Sequence, residues 1–424
     1  MAKEIQQVNL DIDELKLFIT HIINNNRYLQ KDGKPPVSVE VVGDSGIGKT
    51  SAVLQMANAL ELNFVKLNLA QIEELGDLVG FPVRQFQLCK KGSPAKTVKK
   101  QVREGDKLVM KDVPVEGSSG EETECLWIDE QAVQEYLKQG YAFTGQKRMS
   151  YCPPEWIADK QGGGILLLDD WNRADIRFIQ AVMELIDRQE YISWKLPKDW
   201  HILLTSNPDN GEYLVNSIDS AQRTRFITAN LKFNVDVWAR WAEASRIDGR
   251  CINFMLMHPE LVQKETNARS ITTFFNSISS FEKFEDNLPM IQMIGEGSVG
   301  PEFSTLFTTF INNRLDKIIS PKEILFNDSW SYIKGALGTC IGIKDDYRAD
   351  IASILATRLV NYSVVHSQKD TVNQKMIDRI ISLTTEDIFA NDLKYYMVKG
   401  ILNGNKLKFQ GLMLDEKVVK IAVK

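Results

Sequence analysis

Gly43-Asp44-Ser45-Gly46-Ile47-Gly48-Lys49-Thr50 constrains the fold more than any other stretch of this chain. It matches G-x-x-x-x-G-K-[ST], the phosphate-binding P-loop, and its flanks agree with the motif. An alternating β-branched run (Val37, Val39, Val41, Val42) leads in, and a helical pattern (Ala52, Val53, Leu54, Met56, Ala57, Leu60) leads out. Glycines there let backbone N–H groups wrap phosphates, and the helix N-terminus adds a favourable dipole. Lys49 is expected to reach the β- and γ-phosphates and Thr50 to ligate Mg²⁺, with Ser51 following in the first helical turn.

Bulk properties exclude several classes. The 424 residues suffice for two or three domains, and 43% apolar with 25% charged residues is ordinary for a globular protein. A net charge of −5 makes no global case for nucleic acid or a membrane surface. No apolar run approaches the ~18 residues of a span, and Met1–Gln7 lacks a signal-peptide core, so a cytoplasmic setting is expected. Cys89, Cys125, Cys152, Cys251 and Cys340 are odd in number and widely spaced. They are read as reduced thiols, not as a disulfide frame or zinc site.

The spacing predicts an amphipathic helix over 11–30, then strand, P-loop, helix and strand through 83. Residues 84–130 break the pattern. From Arg84 to Lys111 there are nine basic and two acidic residues; from Asp112 to Glu130 there are seven acidic and none basic. Opposed charge blocks with short β-prone runs suggest an exposed, hairpin-like insertion, either a solvated excursion or a substrate-contacting loop. The α/β pattern resumes at Gly164-Ile165-Leu166-Leu167-Leu168, a run suited to a strand buried on both faces of a parallel sheet. A helix with Ile179, Val182, Met183 and Ile186 follows, then strands at 201–205 and 226–229. Beyond Val235 the chain reads mostly helical.

Leu166-Leu167-Leu168-Asp169-Asp170 ends an apolar strand in carboxylates, as a Walker B segment does. Asp169 is expected to hold Mg²⁺, and Asp170 to orient the attacking water. Asn207 ends the next strand, where its amide could orient the same water. Arg223 and Arg225 follow a helical stretch; either could be offered to a neighbouring subunit's γ-phosphate, with structural salt bridging as the bland alternative. Arg269 opens a later helix and is expected to contact phosphate from a lid.

This ordered set resembles the AAA+ ATPases of the MoxR-like or dynein-related branch. The resemblance covers residues 10–280 and rests on the P-loop, Gly76–Gly80, Pro153-Pro154-Glu155-Trp156, Gly164–Ala174 and Thr205-Ser206-Asn207-Pro208. It implies an α/β fold: a P-loop AAA+ core with a parallel sheet over 1–232, an insertion at about 84–150, a helical lid over 233–340 and C-terminal helices over 341–424. It also implies a hairpin before the Asn207 strand, fitting Tyr191–Pro197. Asp170 stands where the family usually has glutamate, and Trp171 where it has an aliphatic residue.

The cofactors expected from the resemblance are ATP and Mg²⁺. Such proteins are often hexameric rings and often act with partners carrying a von Willebrand A domain. The leading expectation is an oligomeric ATPase that remodels a protein partner. A nucleic-acid motor using the basic stretch 84–111 and a slowly hydrolysing scaffold remain open. Bacterial and bacteriophage hosts are both compatible with the resemblance.

Overall fold

The structure is a computed structural model that describes residues 8–90, 97–104, 107–114, 123–312, 318–342 and 346–422. Within 97–104 and 107–114 only the backbone is described, so much of the basic stretch 84–111 lies outside the described side chains.

The strands run β1 (Val8–Leu10), β2 (Ser38–Val42), β3 (Asn63–Asn68), β4 (Pro82–Lys90), β5 (Thr97–Glu104) and β6 (Lys107–Pro114). They continue as β7 (Glu124–Asp129), β8 (Ala142–Tyr151), β9 (Gly164–Asp169), β10 (Glu190–Tyr191), β11 (Trp194–Lys195), β12 (Trp200–Ser206) and β13 (Phe226–Leu231). Six form one sheet in the order β1-β13-β2-β12-β9-β3, every pair parallel. This is the expected α/β class: a parallel sheet bearing the P-loop, followed by helices. Parallel strands need crossovers, and the buried run Ile165–Leu168 sits inside the sheet with both faces covered.

One face packs on helices Ile12–Lys31 and Lys49–Ala59 through Leu15, Ile19, Val53 and Ala57. Asp11 starts the first of these with a reciprocal capping box to Glu14. The other face packs on helix Ile176–Arg188 through Phe178, Val182, Leu185 and Ile186, together with Trp171 and Trp200. The hairpin β10–β11 pairs antiparallel just before β12.

Strands β4, β7 and β8 form a separate antiparallel sheet in the order β7-β4-β8, with β5–β6 as its own two-stranded ribbon. Cys89 and Cys125 face each other across β4 and β7 and are disulfide-bonded. This corrects the expectation of five reduced thiols. Antiparallel pairing brings together two cysteines whose sequence spacing carried no signal.

The helices beyond β13 form two packing units. Residues 238–311 surround an aromatic cluster of Phe254, Phe274, Phe275, Phe303 and Phe307. Residues 319–418 form another core, so the expected boundary at 340 divides a single cluster. Among the described residues, no helix is long and apolar enough to cross a membrane.

Candidate nucleotide site

The P-loop leaves the carboxyl end of β2, and its last glycine, Gly48, caps helix Lys49–Ala59 with no side-chain hydrogen bond. The first turn's N–H groups are therefore left for another acceptor. Gly46 and Gly48 have φ of 76° and 101°. A Cβ on Gly46 would also lie 2.3 Å from Asn267 Oδ1, so glycine is required there twice over.

Lys49 is buried, and its Nζ donates to Gly43 O at 2.6 Å, Asp44 O at 3.0 Å and Asn207 Oδ1 at 3.0 Å. Burial pulls its pKa down to about 8, against the opposing charges of Asp170, Asp169 and Asp44, while Arg269 pushes it further down. A partly desolvated ammonium held by carbonyls is well disposed to take an anion instead.

Asp169 ends β9 and accepts on Oδ1 from Thr50 Oγ1 at 2.9 Å and Thr205 Oγ1 at 2.5 Å. Its Oδ2 pairs with Lys66 Nζ at 2.9 Å. Burial pushes this carboxyl up, but the hydrogen bonds from Thr205, Lys66 and Thr50 outweigh burial and hold its pKa below the ordinary value. Hydroxyl and carboxylate oxygens at this spacing are the donor set of a hard divalent cation.

Asp170 sits in the left-handed region with φ 51° and ψ 36°. Its N–H donates to Thr205 Oγ1 at 3.1 Å, and its Oδ1 accepts from Asn207 Nδ2 at 3.3 Å. Asn207 thus spans Lys49 and Asp170. Its own backbone is clamped by Asn172, which accepts from Asn207 N at 3.3 Å and donates to Asn207 O at 2.8 Å. Lys49, Asn207 and Asp170 form one hydrogen-bonded group and Thr50 and Asp169 another, and Thr205 joins the two into one cluster at the carboxyl ends of β2, β9 and β12. The set fits a nucleoside triphosphate with a divalent cation: donors for anionic oxygens on one side, oxygen ligands on the other.

Sequence reasoning missed Lys66, Thr205 and Asn172, which hold the cluster, and Tyr213, whose hydroxyl lies 3.3 Å from Ser45 N and 3.4 Å from Asp44 Oδ1. Thr205 and Asn172 flank predicted residues; Lys66 and Tyr213 belong to no motif.

Arg269 is exposed in the first turn of helix Ala268–Ser277, and its charge acts on Lys49. Asn267 caps helix Ala268–Ser277 through Arg269 N and Ser270 N, and its side chain lies against Gly46. Lys264, just before it, pairs with Glu212 beside Tyr213.

Arg223 and Arg225 are not brought to this cluster. They precede Phe226, which pairs with Ser38 at the amino end of β2, whereas the P-loop follows Val42 at the carboxyl end. Five residues of strand separate their backbone positions from the P-loop by about 16 Å along the sheet, while the Arg223 charge is felt by Glu40 in the middle of β2. Arg225 is engaged with Asp187 at 2.6 Å and with Ala221 O at 3.0 Å. Arg223 donates to Ile218 O at 3.2 Å and is exposed, with no ion pair among the described residues.

No family model and no curated protein matches the sequence. Solved structures similar to the chain include a mutant of Thermotoga maritima RuvB, at 14% identity over 79% of this chain and 86% of that one, with a TM-score of 0.33. The Thermotoga maritima RuvB Holliday junction branch migration motor is similar at 14% identity, 79% and 85% coverage and a TM-score of 0.33. A protein from Cytophaga hutchinsonii provisionally described as an ATPase is similar at 13% identity, 87% and 80% coverage and a TM-score of 0.30. At such scores these likenesses carry no weight for what this chain does.

Proposed function

We propose that this chain is an AAA+ ATPase of the MoxR-like branch that binds ATP with Mg²⁺, hydrolyses it and works as an oligomer on a protein partner. The observation that carries the reading is the cluster of Lys49, Thr50, Asp169, Asp170 and Asn207. The sequence motifs scatter these residues over more than 150 positions, yet they share hydrogen bonds at one edge of the sheet. Bound Mg²⁺–ATP supplies the phosphoanhydride to be cleaved and a cation that neutralises its charge. The chain's own part is positional. P-loop N–H groups and Lys49 hold phosphate oxygens. Thr50 and Asp169 hold the cation. Asp170, oriented by Asn207, accepts a proton from the attacking water. Arg269 approaches from the lid.

Arg223 and Arg225 lie at the opposite end of β2, so either can serve only another subunit's site. This supports a ring, with a hexamer favoured, and makes turnover depend on assembly. The partner is a protein, and one carrying a von Willebrand A domain is one candidate.

The test is nucleotide binding and turnover by wild type and Lys49→Ala. Wild type should bind ATP in the presence of Mg²⁺ and release phosphate at a rate per chain that rises with protein concentration. Equal binding by Lys49→Ala, or concentration-independent turnover by a monomer, would overturn the reading.

A further inference from the structure

Glu40 is a carboxylate in the middle of the sheet, and the proposed chemistry does not use it. It lies on β2 three residues before the P-loop and is 3% exposed. Val39 and Val41 point to the face covered by the P-loop helix; Glu40 points to the other, under Trp171. Its Oε1 accepts from Trp171 Nε1 at 2.9 Å and from Ser206 Oγ at 2.8 Å, and its Oε2 accepts from Thr228 Oγ1 at 3.1 Å. Three donors come from three separate elements, and two of them are immediate chain neighbours of proposed reacting groups. Trp171 follows Asp170, and Ser206 precedes Asn207.

We propose that Glu40 is a positioning residue for hydrolysis: it ties the Asp170–Trp171 turn to the Ser206–Asn207 strand end, and so fixes the distance between the two groups that hold the water. The inference rests on the ATPase reading above and names a further residue of that same site. An apolar side chain would be the cheaper occupant of this position, because a buried carboxylate loses its hydration and regains only part of it from three donors. Burial accordingly raises the Glu40 pKa, against the bonds from Ser206, Trp171 and Thr228. The turn also needs an anchor. Asp170 occupies a left-handed conformation that an L-residue adopts at a cost, and such conformations persist where surrounding contacts over-determine them. Trp171 supplies that anchor twice, through its indole N–H to Glu40 and through an edge-to-face contact with Phe226 at 5.6 Å. The departure of Trp171 from the aliphatic residue of the pattern the chain resembles is thereby explained: the indole offers the buried carboxylate a donor and fills core space at once, which an aliphatic side chain cannot.

The experiment compares wild type, Trp171→Phe, Ser206→Ala and Glu40→Leu, with Lys49→Ala as the binding control. Leucine removes the oxygen that accepts from both Trp171 and Ser206, which a glutamine would retain. Amide hydrogen exchange is measured on nucleotide-free protein, and ATP affinity and steady-state turnover separately. In Trp171→Phe and Glu40→Leu the amides of Asp170, Arg173 and Asn207 should exchange at least about tenfold faster, while those inside β9 and β12 keep their protection. Turnover should fall by about tenfold or more through misplacement of the water, with ATP affinity within about twofold of wild type. The Trp171→Phe/Glu40→Leu double variant should be no slower than the worse single one, because both cut the same link. If Glu40→Leu does not fold, Trp171→Phe and Ser206→Ala carry the test, since each removes one donor and leaves the carboxylate. Unchanged exchange at the three amides, or turnover and affinity falling together, overturns the role of Glu40. If wild type itself shows no Lys49-dependent turnover, the ATPase reading falls and the catalytic role of Glu40 with it, whatever the exchange data show.

Discussion

Thr50 Oγ1 donates to Asp169 Oδ1 at 2.9 Å, joining the first turn of the P-loop helix to the end of a strand that is not its neighbour. Strand β12 lies between β2 and β9. The bond therefore spans the sheet edge above β12, where Thr205 and Asn207 also end. A hydroxyl and a carboxylate that share a proton at this distance can share a cation with small side-chain movement. Asp169 keeps its charge for that purpose because Thr205 and Lys66 also stabilise the anion.

Lys49 should make ATP affinity depend on pH. Its nucleotide-free pKa is about 8, below that of an exposed lysine, because burial disfavours the ammonium. Phosphate binding needs the charged form. Above pH 8 binding must therefore take up a proton, and ATP affinity should decline by no more than about tenfold per pH unit, the limit for one linked proton. Lys49→Arg, if it binds at all, should show no such decline below pH 10. The sign for folding is the reverse: between pH 8 and the unfolded value the unfolded chain holds more protons, so this group's contribution to stability rises with pH. Isothermal titration at pH 7 to 9.5 measures the first effect and denaturant unfolding the second.

Lys49, Thr50, Asp169, Asp170 and Asn207 lie at one sheet edge, and each was legible in the sequence because it belongs to a run of residues with its own local geometry. A strand that must be buried on both faces is continuously apolar, and its polar terminus stands out. Glu40 was illegible for the opposite reason. It alternates with valines as any half-exposed strand residue does, and only the register β13-β2-β12 reveals donors on both sides. Cys89 and Cys125 were illegible because antiparallel pairing, not spacing, brings them face to face. The left-handed backbone at Asp170 has no sequence signal beyond the residue type itself.

Arg223 and Arg225 are distinguished by what each already holds. Arg225 spends its guanidinium on Asp187 and Ala221 O, while Arg223 keeps both terminal nitrogens free of any ion pair among the described residues. Arg223→Ala should therefore cost more turnover than Arg225→Ala, with a loss on the order of 10³-fold if it stabilises transition-state charge in trans. Mixing Arg223→Ala with Lys49→Ala chains should restore part of the activity, because some interfaces then pair an intact arginine with an intact P-loop. The Arg225–Asp187 pair is exposed enough to add no more than about 1 kcal/mol, so neither variant should unfold. Equal losses in both variants, or no recovery on mixing, would remove the distinction.

A stability contrast joins the two helical packing units. Arg358 is 4% exposed and holds Glu243 through Nε and Nη2 at 3.2–3.3 Å and Asn253 through Nη1 at 3.1 Å. Arg240, on the same helix Val235–Ala244 as Glu243, instead bridges outward to Asp13 at 2.7 Å, with both side chains over 40% exposed. Glu243→Ala leaves a buried guanidinium without its hydrogen-bonded carboxylate, with only Asp248 nearby as counter-charge, and should destabilise by about 3 kcal/mol. Asp13→Ala breaks a solvated pair and should cost less than about 1 kcal/mol. Urea unfolding of the two variants measures the difference, and similar midpoints would show that the buried pair is not what holds the two helical units together.

Asp170 is the sharpest test of the site. Its φ of 51° offers a reason for aspartate where the AAA+ pattern that the chain resembles has glutamate, since a short polar side chain tolerates the left-handed region better than a longer one. Asp170→Asn should keep ATP binding and lose turnover, because the amide cannot accept the water's proton. Asp170→Glu meets two penalties at once. Its extra methylene moves the carboxylate on the order of 1.5 Å, one carbon–carbon bond. The present carboxylate is aligned by Asn207 Nδ2 at 3.3 Å, and a longer side chain must abandon that contact or bend the turn. Misplacement of about 1 Å can cost on the order of 10²-fold in rate. Asp170→Glu should therefore be slower than wild type, with ATP affinity little changed. Steady-state phosphate release at saturating ATP decides it. A faster glutamate variant would mean that the turn adapts to the longer acid, and equal rates in all three proteins would mean that Asp170 does not orient the water.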